Sequence, residues 1–192
     1  MIQYLIVCPL VFVAGLVDSI AGGGGLIALP AYLIAGVPAH MALGTNKMSS
    51  AMGTVVSTAR FARNGYLRGK MLMAACSAAA ALIGSALGAH LALMVSEEII
   101  KHMMIVVLPI VAFYVLRNKD MGENEKTGTI PQVKVFAICI AAAFFIGGYD
   151  GFYGPGTGTF LILILTGAAR LDTRSASAQT KVINLSSNIA AL

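Results

Sequence analysis

Two lysines lie among amide and hydroxyl side chains in a chain that is otherwise strongly apolar. Lys47 stands in GTNKMSS (44–50) and Lys181 in QTKVINLSSN (179–188). Each stretch is predicted to be a polar turn that opens an apolar segment. A positive charge among so many hydrogen-bond donors suits a small oxyanion, and the predicted neutral ligands are Asn46, Asn184, Ser186 and Asn188. The alternative interpretation is that each lysine extends to the membrane interface and binds nothing.

An aspartate and a group of glycines precede each lysine cluster. GLVDSIAGGGG (15–25) has Asp18 ahead of its glycines, and GGYDGFYGPGT (147–157) has Asp150 ahead of a second group. Glycine disfavours a helix interior, and irregular backbone at membrane depth must be buried in protein or line a wet cavity. The two stretches therefore predict breaks in helices that face inward.

Each break is followed by a short apolar run, 26–36 in the first case and the residues from Thr157 onwards in the second. The N-terminus of a half-helix presents free N–H groups and the positive end of the helix dipole to an anion. The predicted backbone ligands are Gly22, Gly23, Gly24, Gly25, Gly154 and Gly156, and hydroxyls are added by Thr157 and Thr159. The alternative is close helix packing, which is the interpretation preferred for Gly84 and Gly88.

The two aspartates admit two interpretations. A carboxylate at membrane depth is costly, so it needs either a function or a strong partner. Either Asp18 and Asp150 take up and release protons during coupling, or each caps the N-terminus of the half-helix that follows it.

The elements that position these residues are predicted to be membrane helices. Hydrophobic residues make up 58% of the chain and charged residues only 11%, with a mean hydropathy of +0.84. Apolar stretches of near-spanning length cover 1–21, 71–95, 99–116 and 133–148. The predicted fold is an all-α, polytopic transmembrane helix bundle made of two related halves with broken or re-entrant glycine-rich helices.

The division into halves comes from an internal repeat. Asp18 aligns with Asp150, and Lys47 aligns with Lys181 after a shift of two residues. The predicted domains are a first transmembrane repeat at 1–117, a cytoplasmic linker at 118–132 and a second, incomplete repeat at 133–192. The basic loops determine the sides of the membrane, and the first is predicted to carry Arg60, Arg63, Arg68 and Lys70 on the cytoplasmic side.

Several other classes of protein are disfavoured. The net charge of +5 does not indicate nucleic acid, because the basic residues lie between the apolar segments. The cysteines and histidines lack metal-ligand spacing, so no metal and no cofactor is predicted. A membrane-embedded enzyme or assembly factor is disfavoured, since no HExxH motif, no paired carboxylates on one helix and no serine with a base occurs.

The motifs DSIAGGGGLI (18–27), GTNK (44–47), YDGFYGPGTG (149–158) and QTKVINLSSN (179–188) resemble those of the TauE/SafE family of membrane permeases, the sulfite exporters. The resemblance covers nearly the whole chain, although members are usually longer. It implies a plasma-membrane carrier that moves sulfite, sulfonates or related organosulfur anions outward, driven by an ion gradient. The matching positions are Asp18, Gly22, Gly23, Gly24, Gly25, Thr45, Asn46, Lys47, Asp150, Gly154, Pro155, Gly156, Thr157, Lys181, Asn184 and Asn188.

The predicted function is therefore transport, as an exporter of small anions that works by alternating access in the cell membrane, with multiple passes. An anion channel is the alternative. The predicted partners are an anionic substrate, the lipid bilayer and a coupling ion, either a proton or sodium, and not nucleic acid. Substrate identity, transport direction, the orientation of the repeat (inverted or parallel) and oligomeric state stay open.

Overall fold

The computed structural model describes residues 2–21, 23–117 and 130–192, and these residues form helices and connecting turns without any strand. The helices are α1 (Ile2–Ala21), α2 (Gly25–Ile34), α3 (Ala39–Arg63), α4 (Met71–Met94), α5 (Glu97–Arg117), α6 (Gln132–Phe152), α7 (Thr157–Gly167) and α8 (Thr173–Ala190). The predicted all-α class is confirmed.

Three helices in the described part are long and apolar enough to cross a membrane: Met71–Met94, Glu97–Val115 and Gln132–Phe152. They correspond to three of the four predicted spans. The stretch 1–21 forms the 20-residue α1, in which Val7–Asp18 is a shorter apolar helix. The half-helices α2 and α7 have 10 and 11 residues. At this size each is about 15 Å long, half the thickness of a hydrocarbon core.

The first glycine run lets α2 begin beside the C-terminal half of α1. A Cβ on Gly24 would collide with the carbonyl oxygen of Ala14 and would lie 2.7 Å from the Cβ of Asp18. Gly23 adopts a φ of +120°, which L side chains rarely allow. Positions 23 and 24 therefore require glycine if α2 is to start this close to α1.

Each half-helix lies in its own apolar core. The core around α2 includes Leu29 and Tyr32 with Met104 of α5. The core around α7 includes Leu161 and Leu165, together with buried residues of α4, α6 and α8. Both breaks are thus held by packed side chains, which fixes the backbone that the breaks expose.

Small residues bring α4 against α6. A Cβ on Gly88 would collide with the carbonyl oxygen of Gly148, and one on Gly84 would collide with that of Phe144. The prediction that Gly84 and Gly88 serve close helix packing is confirmed. The hydroxyl of Ser85 also donates to the carbonyl of Ser187 at 2.6 Å, so α4 contacts both α6, which carries Asp150, and α8, which carries the second lysine cluster.

Two details of the sequence prediction are wrong. Arg60 and Arg63 lie in the last turn of α3 and not in a loop, where positive side chains interact favourably with the negative end of the helix dipole. Lys47 does not lie at a turn but well inside α3. Hydroxyls of this polar stretch, such as that of Thr54, donate to carbonyls one turn earlier, so they find partners without ending the helix.

The same order of a long, a short and a long helix occurs in α1 to α3 and in α6 to α8. The duplication itself, the boundaries of the two repeats and the linker stay predictions. Residues 118–129 of the predicted linker lie outside the described residues.

Candidate functional site

At the first break, Asp18 holds the backbone in place. One of its carboxylate oxygens, Oδ1, accepts hydrogen bonds from the N–H groups of Gly23 at 3.0 Å and Gly24 at 3.1 Å. These N–H groups precede α2, so the carboxylate satisfies donors that a helix start leaves unpaired. These contacts fit a capping role, and they leave the N–H groups of Gly23 and Gly24 bound to Asp18 and not free for an anion. The choice between capping and proton coupling stays a prediction.

At the second break, the aspartate is held differently. Asp150 is buried at 4% exposure. Its Oδ1 lies 2.9 Å from the hydroxyl of Thr157, and its Oδ2 accepts a hydrogen bond of 2.6 Å from the hydroxyl of Ser187. Gly154 and Gly156 adopt φ values of +100° and +84°, which allow the chain to turn between Asp150 and α7. Side chains of α6, α7 and α8 therefore meet at one carboxylate.

Lys47 completes the contacts of Asp150. Its Nζ lies 2.7 Å from Oδ1 of Asp150, and the two side chains are only 4% and 6% exposed. This is a buried ion pair between the first and the second half of the chain. Lys47 therefore does not present a free positive charge, because the carboxylate already neutralises it.

Lys181 has a weaker partner. Its Nζ donates to the backbone carbonyl of Asp18 at 3.2 Å. No carboxylate oxygen among the described residues lies within ion-pair distance of it. Among the described residues the ammonium group therefore has no direct ion-pair partner, although Asp18 lines the same cavity.

A small cavity of about 30 Å³, called the central cavity below, lies between the two breaks. Backbone from both breaks lines it, together with amide and hydroxyl side chains. Its lining residues are Asp18, Gly23, Gly25, Asn46, Ser50, Thr54, Asp150, Gly154, Gly156, Thr157, Gly158, Asn184 and Asn188. The buried Oδ1 of Asn184 has no hydrogen-bond partner, so this cavity offers acceptors as well as donors.

A second cavity of about 90 Å³, called the side cavity below, adjoins the first and shares Asp18, Asn46, Ser50 and Thr54 with it. Lys181 lines the side cavity, as do Gly24 and the hydroxyl-bearing Ser49 and Ser57. The two cavities together form one polar region: Asp18 lines both of them, Asp150 lines the central cavity and Lys181 lines the side cavity.

The structure brings most of the predicted ligands to this region but not all of them. Thr45 is exposed, and its hydroxyl donates to the carbonyl of Met41 instead. Gly22 lies outside the described residues. Lys47 contacts the region through Asp150 and is not among the residues that line either cavity.

Sequence reasoning missed five hydroxyl-bearing residues of the region: Ser49, Ser50, Thr54, Ser57 and Ser187. Ser187, and not the predicted Ser186, reaches Asp150, since the hydroxyl of Ser186 donates to the carbonyl of Val182. Helical spacing could have found Ser187, because residues three and four apart share a helix face and Asn184 and Asn188 flank it. Ser50 and Thr54 follow Asn46 at intervals of four residues, so the same helical spacing could have found them.

Comparisons with known proteins find relatives that are named as membrane transporters. The chain is 39% identical to a probable membrane transporter protein of Sinorhizobium sp. over 182 residues, which are 94% of this chain and 67% of that protein. It is 34% identical to one from Haemophilus influenzae, covering 93% of this chain and 68% of the relative. For one from Escherichia coli the identity is 31%, with 100% and 71% covered.

No solved structure matches the chain significantly. The model of the sulfite exporter TauE/SafE family matches residues 7–192. The names given to this family and to the relatives are those of membrane transporters and not of enzymes. With its apolar helices and paired half-helices, the chain belongs to the TauE/SafE family of membrane transporters.

Proposed function

We propose that this chain moves small oxyanions, such as sulfite, sulfonates or related organosulfur compounds, across the cell membrane by alternating access, and that it works as a multi-pass exporter. The observation that carries the proposal is that the buried ammonium of Lys181 has no carboxylate partner among the described residues and lines a polar cavity. This cavity adjoins the central cavity, which is lined by backbone of both glycine breaks. Transporters commonly bind substrate and coupling ion next to each other where broken helices meet at membrane depth.

The anion is placed in the side cavity, next to Lys181. This ammonium group is buried, is not paired with a carboxylate in the described part of the chain, and lies beside Asn46 and Ser50. A positive charge with amide and hydroxyl donors matches the oxygens of a sulfur oxyanion. The volume of about 90 Å³ also exceeds that of the central cavity.

The coupling ion is placed in the central cavity. Asp18, Asp150 and the unpaired Oδ1 of Asn184 supply acceptors there. The two lysines and two aspartates of the region balance each other, so an entering anion leaves an excess negative charge in a medium where charge is costly. A proton or a sodium ion taken up at these acceptors removes that excess, which couples the two movements.

The test is uptake of radiolabelled sulfite and of a sulfonate by inverted membrane vesicles. Lys181→Met removes the proposed ligand and leaves behind only a backbone carbonyl, so the fold is expected to stay intact. A charged hydrogen bond lost in this way corresponds to uptake lower by about tenfold or more. Lys101→Met is the matched control, because Lys101 is half exposed and pairs with Glu97 away from both cavities.

Equal uptake by wild type, Lys181→Met and Lys101→Met would refute the assignment of Lys181. The kinetics separate a carrier from a channel. Saturable uptake that depends on a proton or sodium gradient supports alternating access, whereas a linear unitary current in a planar bilayer would overturn it in favour of a channel.

A further inference from the structure

A third cavity has a volume of about 470 Å³ and is far larger than the central and side cavities. It lies near the N-terminus of α8, at the opposite end of that helix from Asn184 and Asn188. It opens where three connections meet: the turn before α4, the start of α6 and the turn between α7 and α8. Since α4 and α6 are both candidate spans that begin here, the cavity lies where membrane helices enter the bilayer, at the depth of lipid headgroups.

The lining of this cavity is amphiphilic. Three basic residues, Arg68, Lys70 and Arg170, line it together with apolar side chains that include Val135 and Phe136. Basic groups next to an apolar wall at the end of membrane helices match a phosphate that carries acyl chains. A free inorganic anion would use the basic groups but would gain nothing from the apolar wall.

The positive charge of the cavity is only partly neutralised. Lys70 donates to the hydroxyl of Ser175 at 2.7 Å and lies 3.6 Å from the carboxylate of Asp172. Neither Arg68 nor Arg170 has a carboxylate within ion-pair distance in the part of the chain that the structure describes. With respect to the described residues, two guanidinium groups are thus available to a phosphate.

Arg170 also has an unusual backbone. It has a φ of 53°, which makes it the one residue other than glycine with a positive φ in the described ranges. Helices commonly end with a glycine in this conformation, and a long side chain is disfavoured there. A strained residue that also lines a cavity points to a use for its side chain.

The helix starts add further donors. Neither α4 nor α6 has a side chain that caps its N-terminus, so N–H groups of both first turns lack side-chain partners. The basic connection before α4 is predicted to be cytoplasmic, and the cytoplasmic leaflet carries the anionic lipids. We infer that this cavity binds one anionic phospholipid, with its phosphate on Arg68 and Arg170 and an acyl chain along Val135 and Phe136.

The test is native mass spectrometry of the full chain in detergent, titrated with phosphatidylglycerol and with phosphatidylcholine of the same acyl chains. The variant combines Arg68→Gln with Arg170→Gly. Glycine is well suited to the backbone at 170, so this variant keeps the fold. Loss of two basic contacts predicts binding of phosphatidylglycerol about 30-fold weaker, with phosphatidylcholine unaffected.

Arg174→Gln is the matched control. Arg174 is an exposed residue in the first turn of α8, close in sequence to Arg170, and it does not line the cavity. Unchanged phosphatidylglycerol binding by this control supports a specific site. A loss of affinity equal to that of the double variant would show that binding depends only on general surface charge, and it would overturn the inference.

Two further results would overturn the inference. One is equal affinity of the wild type for the two lipids. The other is full displacement of phosphatidylglycerol by free glycerol phosphate at the same concentration, which would show that the ligand is a soluble phosphate and that the apolar wall plays no part.

Discussion

The buried pair of Lys47 and Asp150 gives the sharpest prediction for stability. Asp150→Asn leaves the Lys47 ammonium buried without a counter-charge, since Asp150 is the one partner of its Nζ among the described residues. Removal of one member of a buried ion pair costs about 3–5 kcal/mol, because the other charge is left without compensation. The free energy of unfolding of Asp150→Asn, and likewise that of Lys47→Met, is expected to fall by this amount.

The double variant is expected to recover most of that loss. With Lys47→Met and Asp150→Asn together, no unpaired charge remains, and the asparagine oxygen can still accept from the hydroxyl of Thr157 or of Ser187. One hydrogen bond is lost, which costs about 1 kcal/mol. The double variant should therefore be at least about 2 kcal/mol more stable than either single variant.

The assay is equilibrium unfolding in mixed micelles, followed by circular dichroism, for the wild type, both single variants and the double variant. Lys101→Met is the control for an ion pair of the same type at the surface. Lys101 and Glu97 lie 3.0 Å apart with side chains 50% and 43% exposed, so this change should cost less than about 1 kcal/mol. A double variant that loses the sum of the two single losses would show that the two groups do not stabilise each other, and the reasoning would fail.

Three further predictions use the same unfolding assay. Gly88→Ala should lower the free energy of unfolding by about 1–3 kcal/mol, because its Cβ collides with backbone of α6, whereas Gly44→Ala, with no atom within 4 Å of its Cβ, should not lower it. Asp18→Ala should cost about 1 kcal/mol through the lost cap, and Asp18→Asn less; equal losses would refute the capping role. Partial burial raises the pKa of Asp172, but the hydroxyl and N–H of Ser175 and the ammonium of Lys70 lower it more, so the net pKa lies below its ordinary value of 3.8. The ionised carboxylate therefore stabilises the fold above pH 3.8, and this stabilisation is lost as the pH falls through the lowered pKa. Asp172→Asn should be less stable than the wild type at neutral pH but not at strongly acidic pH. A difference in the free energy of unfolding that stays constant at all pH values would contradict this.

The backbone of the site could be predicted because glycine has few uses in an apolar chain. A run such as 22–25 in the chain predicts either close packing or a break, and the aspartate nearby favours a break. The structure adds that both uses occur in one motif, since Gly24 allows a close approach to Ala14 while Gly23 takes a positive φ. The local sequence was therefore sufficient to predict the two breaks and the short helices that follow them.

The pairing of charges could not be predicted in the same way. Lys47 and Asp150 are far apart in the chain, and a single sequence does not say which of two aspartates meets which of two lysines. The third cavity could not be predicted for a related reason, because Arg68, Gln132 and Arg170 come from three separate parts of the chain. Contacts of this kind depend on the packing of α4 against α6, which the small residues at 84 and 88 allow but do not specify.

The two lysines differ in a way that bears on the proposed transport cycle. Lys47 contacts an aspartate side chain, whereas Lys181 contacts an aspartate backbone carbonyl, since the carboxylate of Asp18 is already bound to two N–H groups. An anion can therefore reach the charge of Lys181 without breaking an ion pair, but it must displace Asp150 to reach that of Lys47. In the proposed cycle Lys181 binds first, and Lys47 becomes a ligand only when the coupling ion takes its place at Asp150. The ion pair then serves as the closed form of a second anion site, and its opening is the step at which the coupling ion is required.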